Sequence, residues 1–255
     1  MNLIIERSGR SRRLSPGIAK KENMGLLDNP KLLLPILFVY LALAFTLLVT
    51  VFHYKRRIKA ANDFRAVLLY FVFFFLALLV VPILIICLAS AAPGQLLSSL
   101  GWTIGRSRRG ILLMVIAIPI AVTSAYVASK DPVMRRQYPL SKQACSSLKK
   151  FVLYEMAYLV LYYLPWEFVF RGLLFFSLLS SSGLLMSLAV QTIVSTLYHI
   201  GHPDSEIFAA LGSGFIFGLI AYSTGSFLYP LFIHALVGIC NDTLIFYRYY
   251  RRAGP

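Results

Sequence analysis

The sequence predicts an all-α fold, a polytopic transmembrane bundle of seven to eight helices. Uncharged apolar stretches of about 20 residues recur along the chain, the length that crosses a ~30 Å hydrocarbon core at 1.5 Å per residue. Of the 255 residues, 58% are hydrophobic and 14% charged, against roughly 25% charged in a soluble domain. The period-two alternation of strands is absent.

Taken in order, residues 1–30 carry Arg7, Arg10, Arg12, Arg13, Lys20 and Lys21 among Gly and Pro. They read as a basic, mobile N-terminal arm on the membrane surface. The arm lacks an apolar core, and the run from Leu32 is too long for a signal-peptide core, so no cleaved leader is expected. Residues 31–150 form an accessory region. Its first span is Leu32–Phe52, closed by His53, Lys55, Arg56 and Arg57; its second is Ala66–Ser90. A loop at 91–109 follows, rich in Gly and Arg and able to hold a surface helix. Gly110–Ser129 is a third span, and a charged loop at 130–150 divides this region from the next.

From Phe151 the apolar runs contain ionisable residues, each costing at least a few kcal/mol at the bilayer centre. Helices are expected at about 149–165, 167–180, 183–200, 205–223 and 227–248, with Pro165 either kinking or breaking one of them. Residues 151–248 are therefore the candidate catalytic core, and 249–255 a basic C-terminal tail. Tyr247, Tyr249 and Tyr250 beside Arg248, Arg251 and Arg252 suit an interfacial belt.

The net charge of +15 falls between apolar runs and at the termini, where anionic headgroups account for it, and no nucleic-acid motif is present. The loops at 54–65, 91–109 and 129–150 are all basic, so counting Lys and Arg leaves the orientation open. Cys87, Cys145 and Cys240 are too scattered for a disulfide framework or a thiolate metal site.

Four polar positions stand out inside apolar helices. Glu167 and Arg171, four apart, share a helical face within ion-pair reach; they read either as a buried structural salt bridge or as a carboxylate held ionised to activate water. His199 closes an apolar helix, and His202 follows three residues later with Asp204 and Glu206. That spacing also suits a metal, but Gly201 and Pro203 end the helix and place His202 in the loop. His234 needs a polar partner in its apolar helix. Asn241 returns to nearly its face, and Asp242 lies about 80° round.

Glu167-Phe-Val-Phe-Arg171-Gly172, the histidine near residue 199 and the later His234 resemble the CPBP family of intramembrane peptidases, which includes the CAAX prenyl proteases, over about residues 150–246. The family pattern is Glu-Glu-x-x-x-Arg, then Phe-x-x-x-His, then His with an Asn or Asp a turn or two on. Here Trp166 replaces the first Glu, Ser195 stands four before His199, and Gly238 stands four after His234. Trp-Glu-x-x-x-Arg-Gly, His-x-Gly-x-Pro with a nearby Glu, and His followed by Asp at eight resemble a bacterial branch.

That resemblance implies Glu167, Arg171, His199, His234 and Asp242 as catalytic residues, supported by Glu206, Asn241, Trp166 and His202, and favours His199 over His202. It implies metal-independent hydrolysis of a peptide bond in a membrane-associated protein, without a cofactor, in a bacterial cell membrane. Glu167 would activate water alone or with His199, His234 would donate to the oxyanion, and Glu206 would position His199 or bind substrate. Glu155, the other acid of that helix, lies about 120° round from Glu167. Two further readings stand beside it: an inactive relative serving as a scaffold or immunity protein, and an ion or solute transporter, for which no inverted repeat is visible.

Overall fold

The computed structural model describes residues 39–40 and 64–251. The arm at 1–30, most of the expected first span Leu32–Phe52 and the last four residues lie outside them. The described residues are almost wholly helical, with no strand among them. Helix α1 is Phe64–Ala89, α2 is Pro93–Ser99, α3 is Ser107–Ala128 and α4 is Pro132–Gln137. Then come α5 at 148–182, α6 at 184–197, α7 at Asp204–Thr224 and α8 at Leu228–Tyr250.

Among the described residues, five helical segments are long and apolar enough to cross a membrane, Leu148–Leu197 counting as one. That segment is not straight. Gly183 takes φ 78° and ψ 175°, a conformation essentially reserved for glycine, and the chain folds back there. Consequently Phe175 packs with Leu188, the Phe170 and Tyr198 rings lie 5.2 Å apart and the Trp166 and His199 rings 4.9 Å apart. A straight helix would separate residues 166 and 199 by about 50 Å.

Of the two outcomes left open at Pro165, a kink or a break, the break does not occur, so the helices expected at 149–165 and 167–180 are one. Proline removes a backbone donor and crowds the carbonyl four residues back. Wide π turns at Leu159–Tyr163 and Phe168–Leu174 flank the site and absorb the mismatch without ending the helix.

Two parallel rows of side chains run down α5. Tyr154, Tyr158, Tyr162 and Trp166, spaced by four, form an aromatic row against α1: Phe71 stacks on Tyr158 at 5.0 Å, Phe74 on Tyr162 at 4.3 Å and on Trp166 at 6.1 Å. The neighbouring row is Tyr163, Glu167 and Arg171, also spaced by four, and its tyrosine and glutamate meet His234 of α8. Helix α3 is the outermost strut. Ile111, Leu112, Val115, Ile116, Ile120 and Val127 are exposed on it, an apolar surface that lipid, not water, accommodates.

Among the described residues, the two ends of the bundle differ in their content of Lys and Arg. One end gathers the start of α1, the segment 129–147, the turn 198–203 and the end of α8, joined by Phe64 N–H to Gln143 (3.1 Å) and Arg248 to the Ser129 hydroxyl (2.8 Å). It carries Arg65, Lys130, Arg135, Arg136, Lys142, Lys149, Lys150, Arg248 and Arg251. The opposite end, where Arg106 N–H donates to the Thr224 carbonyl (2.7 Å) and the Tyr229 hydroxyl to the Ile104 carbonyl (3.0 Å), carries Arg106, Arg108 and Arg109.

Candidate active site

Glu167 is fully buried, and one of its oxygens accepts two partners. Arg171 Nη1 donates to Oε1 at 3.2 Å from one turn along the same helix, and His234 Nδ1 of α8 lies 2.6 Å from that oxygen. An ionised carboxylate only accepts, so the imidazole donates its Nδ1–H, leaving Nε2 on the partly open side of a ring whose side chain is 23% exposed. The second glutamate oxygen, Oε2, is buried without a protein partner. Phe217 of α7 closes the group, its ring 5.4 Å from the Arg171 guanidinium and 5.7 Å from the His234 ring. A buried carboxylate between a guanidinium and an imidazole is compensated; one left alone is not.

His199 reaches this wall through the Gly183 hairpin. Helix α6 ends at Leu197, so His199 sits in the turn just beyond it, with Nδ1 donating to the Ser195 carbonyl at 2.9 Å. Burial, with His202 adding to it, pushes the imidazole down to about 3. It is therefore neutral in the physiological range, with Nε2 an unprotonated acceptor. The Trp166 ring separates it from His234, meeting His199 edge-on at 4.9 Å and His234 at 6.3 Å. The indole N–H is buried without a partner.

His202 lies in the loop, as Gly201 and Pro203 require, but it is not idle. Its Nδ1 is 2.8 Å from Glu206 Oε1, and the Tyr138 hydroxyl donates to the same oxygen at 2.7 Å while lying 2.9 Å from that nitrogen. Glu206, expected either to position His199 or to bind substrate, thus engages His202 and Tyr138. Desolvation, with the Glu206 carboxylate adding to it, holds the Tyr138 phenol well above its ordinary range, so it remains a neutral donor.

Asp242 stands apart from His234. It accepts from its neighbour Asn241 (3.0 Å) and from the Tyr154 hydroxyl (3.4 Å), which in turn receives Leu140 N–H (3.0 Å). Eight residues carry it about 12 Å along α8; Glu167 from α5 fills the place beside His234 that Asn241 or Asp242 was expected to take. Glu155, whose oxygens are buried and unpartnered, belongs to this second group, within electrostatic reach of Asp242 and Cys145. Lys142 is pushed down to about 8 by burial, against the pull of Asp242. Burial carries the Cys145 thiol up to about 12.

Among the described residues no trio of His, Cys, Asp and Glu is arranged to hold a metal. Tyr138 and Tyr163 are the site residues that sequence reasoning passed over. The four-residue spacing of Tyr163, Glu167 and Arg171 was available as a signal for the second of them.

The family model described as type II CAAX prenyl endopeptidase, Rce1-like, matches residues 149–240. Over this segment the chain is similar to the CPBP family, and the match supports that assignment. The matched segment begins with α5 and ends in α8, so it takes in every helix that contributes a side chain to the Glu167–His234 group. This is a family of membrane proteases. No curated protein and no solved structure matches the chain.

Proposed function

We propose that this protein is an intramembrane, glutamate-dependent endopeptidase that hydrolyses a peptide bond in a membrane-associated protein with activated water, in a bacterial cell membrane. The catalytic unit is the core at 151–248, and the accessory helices at 31–150 brace it. One observation carries the reading: a buried carboxylate joins an arginine on its own helix to a histidine on another, and a hairpin returns a second, neutral histidine to the same wall.

Glu167 Oε2 and His199 Nε2 are the acceptors left over once the other contacts are made; Glu167 takes the proton of the attacking water, and His199 accepts a hydrogen bond from the water's other hydrogen and orients it. The water oxygen then adds to the scissile carbonyl. His234 in its imidazolium form donates from Nε2 to the resulting oxyanion while Nδ1–H stays on Glu167. The intermediate then collapses: the C–N bond breaks, and the proton that Glu167 took from water passes to the departing amine. Arg171 donates to Glu167 and keeps its carboxylate paired. No step uses a metal.

Among the described residues, the uneven distribution of Lys and Arg between the two ends supports an orientation that counting Lys and Arg along the sequence left open. Short loops rich in Lys and Arg stay in the cytoplasm, so the end bearing His199, His202 and Tyr138 faces the cytosol, and substrate is cut near that leaflet.

A scaffold reading rests on Trp166, which replaces a family carboxylate and completes the aromatic row against α1. The two readings separate by comparing neo-N-termini in membranes of cells expressing the wild type with those of cells expressing Glu167→Gln. Termini that appear with the wild type and vanish in the variant support the peptidase, and identical sets support the scaffold.

A further inference from the structure

One departure from the family pattern has a physical counterpart in the fold. Where the pattern has Asn four residues after the second histidine, this chain has Gly238. A Cβ added at Gly238 would overlap the phenolic oxygen of Tyr163. The glycine is there because another side chain already fills the space its own would take.

Tyr163 reaches that space from α5. It is the first member of the row that continues to Glu167 and Arg171, and it is 4% exposed. Its ring meets the His234 ring edge-on at 4.9 Å. Position 238 lies one turn beyond His234 on nearly the same helical face, so the phenolic oxygen stands one turn along from the imidazole. The Tyr158 hydroxyl and the Asp242 and Glu206 carboxylates are within electrostatic reach of it. A polar group therefore occupies the slot, and it is a group that can donate.

Resting on the peptidase reading, we infer that the Tyr163 hydroxyl is a catalytic hydrogen-bond donor, completing with His234 the pocket that receives the oxyanion of the tetrahedral intermediate. Two donors from different helices converge on one oxygen, with Gly238 as the clearance that admits the second. The donor keeps its proton throughout, so the step is stabilisation of developing charge without transfer. Such a donor acts on the transition state, and losing one costs about 10²–10³ in kcat.

The test uses a quenched peptide spanning a bond identified by the neo-terminus comparison, with the full-length protein in proteoliposomes. Tyr163→Phe keeps the ring against His234 and deletes only the hydroxyl. It is expected to lower kcat about a hundredfold with KM unchanged and the thermal unfolding midpoint preserved. Tyr163→Ala is expected to be at least as slow. Adding Gly238→Asn to it, which supplies an amide donor from position 238 itself, is expected to restore at least tenfold of the loss.

Gly238→Asn alone is expected to be inactive, because its side chain meets the phenol. Wild-type turnover in Tyr163→Phe alongside a dead Glu167→Gln would overturn the role of Tyr163 and leave the peptidase reading standing. A Tyr163→Phe loss confined to KM, or no rescue by the second substitution in a folded protein, would also overturn it. Absence of Glu167-dependent cleavage in the wild type would overturn both.

Discussion

The site contains two glutamate–histidine pairs of similar length, 2.6 Å for Glu167–His234 and 2.8 Å for Glu206–His202. The first spans 67 residues, joins α5 to α8 and has an arginine behind the carboxylate. The second is a single helical turn, four residues apart, with a tyrosine from the 129–147 segment behind it. The first fixes the His234 ring against a buried carboxylate. The second ties a loop to the turn that carries His199. On the proposed reading, similar geometry serves chemistry in one place and bracing in the other, and the partner behind the carboxylate tells them apart.

The comparison breaks if the two pairs respond alike to substitution. Glu167→Gln keeps shape and removes the charge, and is expected to lower kcat by about 10²–10⁴, read by cleavage of the quenched peptide. His199→Ala should follow at about a hundredfold. Arg171→Met leaves Glu167 with one cationic partner fewer, and should cost about 3–5 kcal/mol of stability as well as activity, measured by thermal unfolding in detergent. His202→Ala and Glu206→Gln are expected to cost only a few-fold in rate and about 1 kcal/mol each, the scale of one exchanged hydrogen bond. A hundredfold loss in His202→Ala would move the catalytic histidine from 199 to 202.

The pH dependence sharpens the same contrast. Because His199 is held down to about 3, it stays neutral as the pH falls from 7 to 5, and no loss of activity over that range should vanish in a His199 variant. Lys142 gives the smallest effect. Its folded value of about 8 lies below the ordinary 10.5, so between those values the unfolded chain binds more protons and stability rises with pH. Below about 8 both states are protonated and the contribution is flat. Lys142→Met should abolish the rise, read as the unfolding midpoint at pH 7.5 and pH 10.

The helical class and most spans were legible because hydropathy and length dictate them. The observed α1, α3 and α7 fall within three residues of the expected bounds. Local polar geometry was legible too: four-residue spacing announced the Glu167–Arg171 contact. Legibility ended where the information was tertiary. Pro165 could have kinked or ended a helix in the sequence, and the π turns around it are set by packing; the reversal lies at Gly183. The partner of His234 was sought on its own helix and came from another. Trp166 read as a lost carboxylate; in the fold it is also the last rung of the aromatic row that seats α5 on α1.

The central claim is that Glu167 and His234 act as one unit, and a double-mutant cycle tests it most directly. kcat is measured for Glu167→Gln, His234→Ala and the combination on the quenched peptide. If the two share one function, the double variant is no slower than the worse single variant. Losses that multiply, each substitution adding its full cost to the other, would contradict the account.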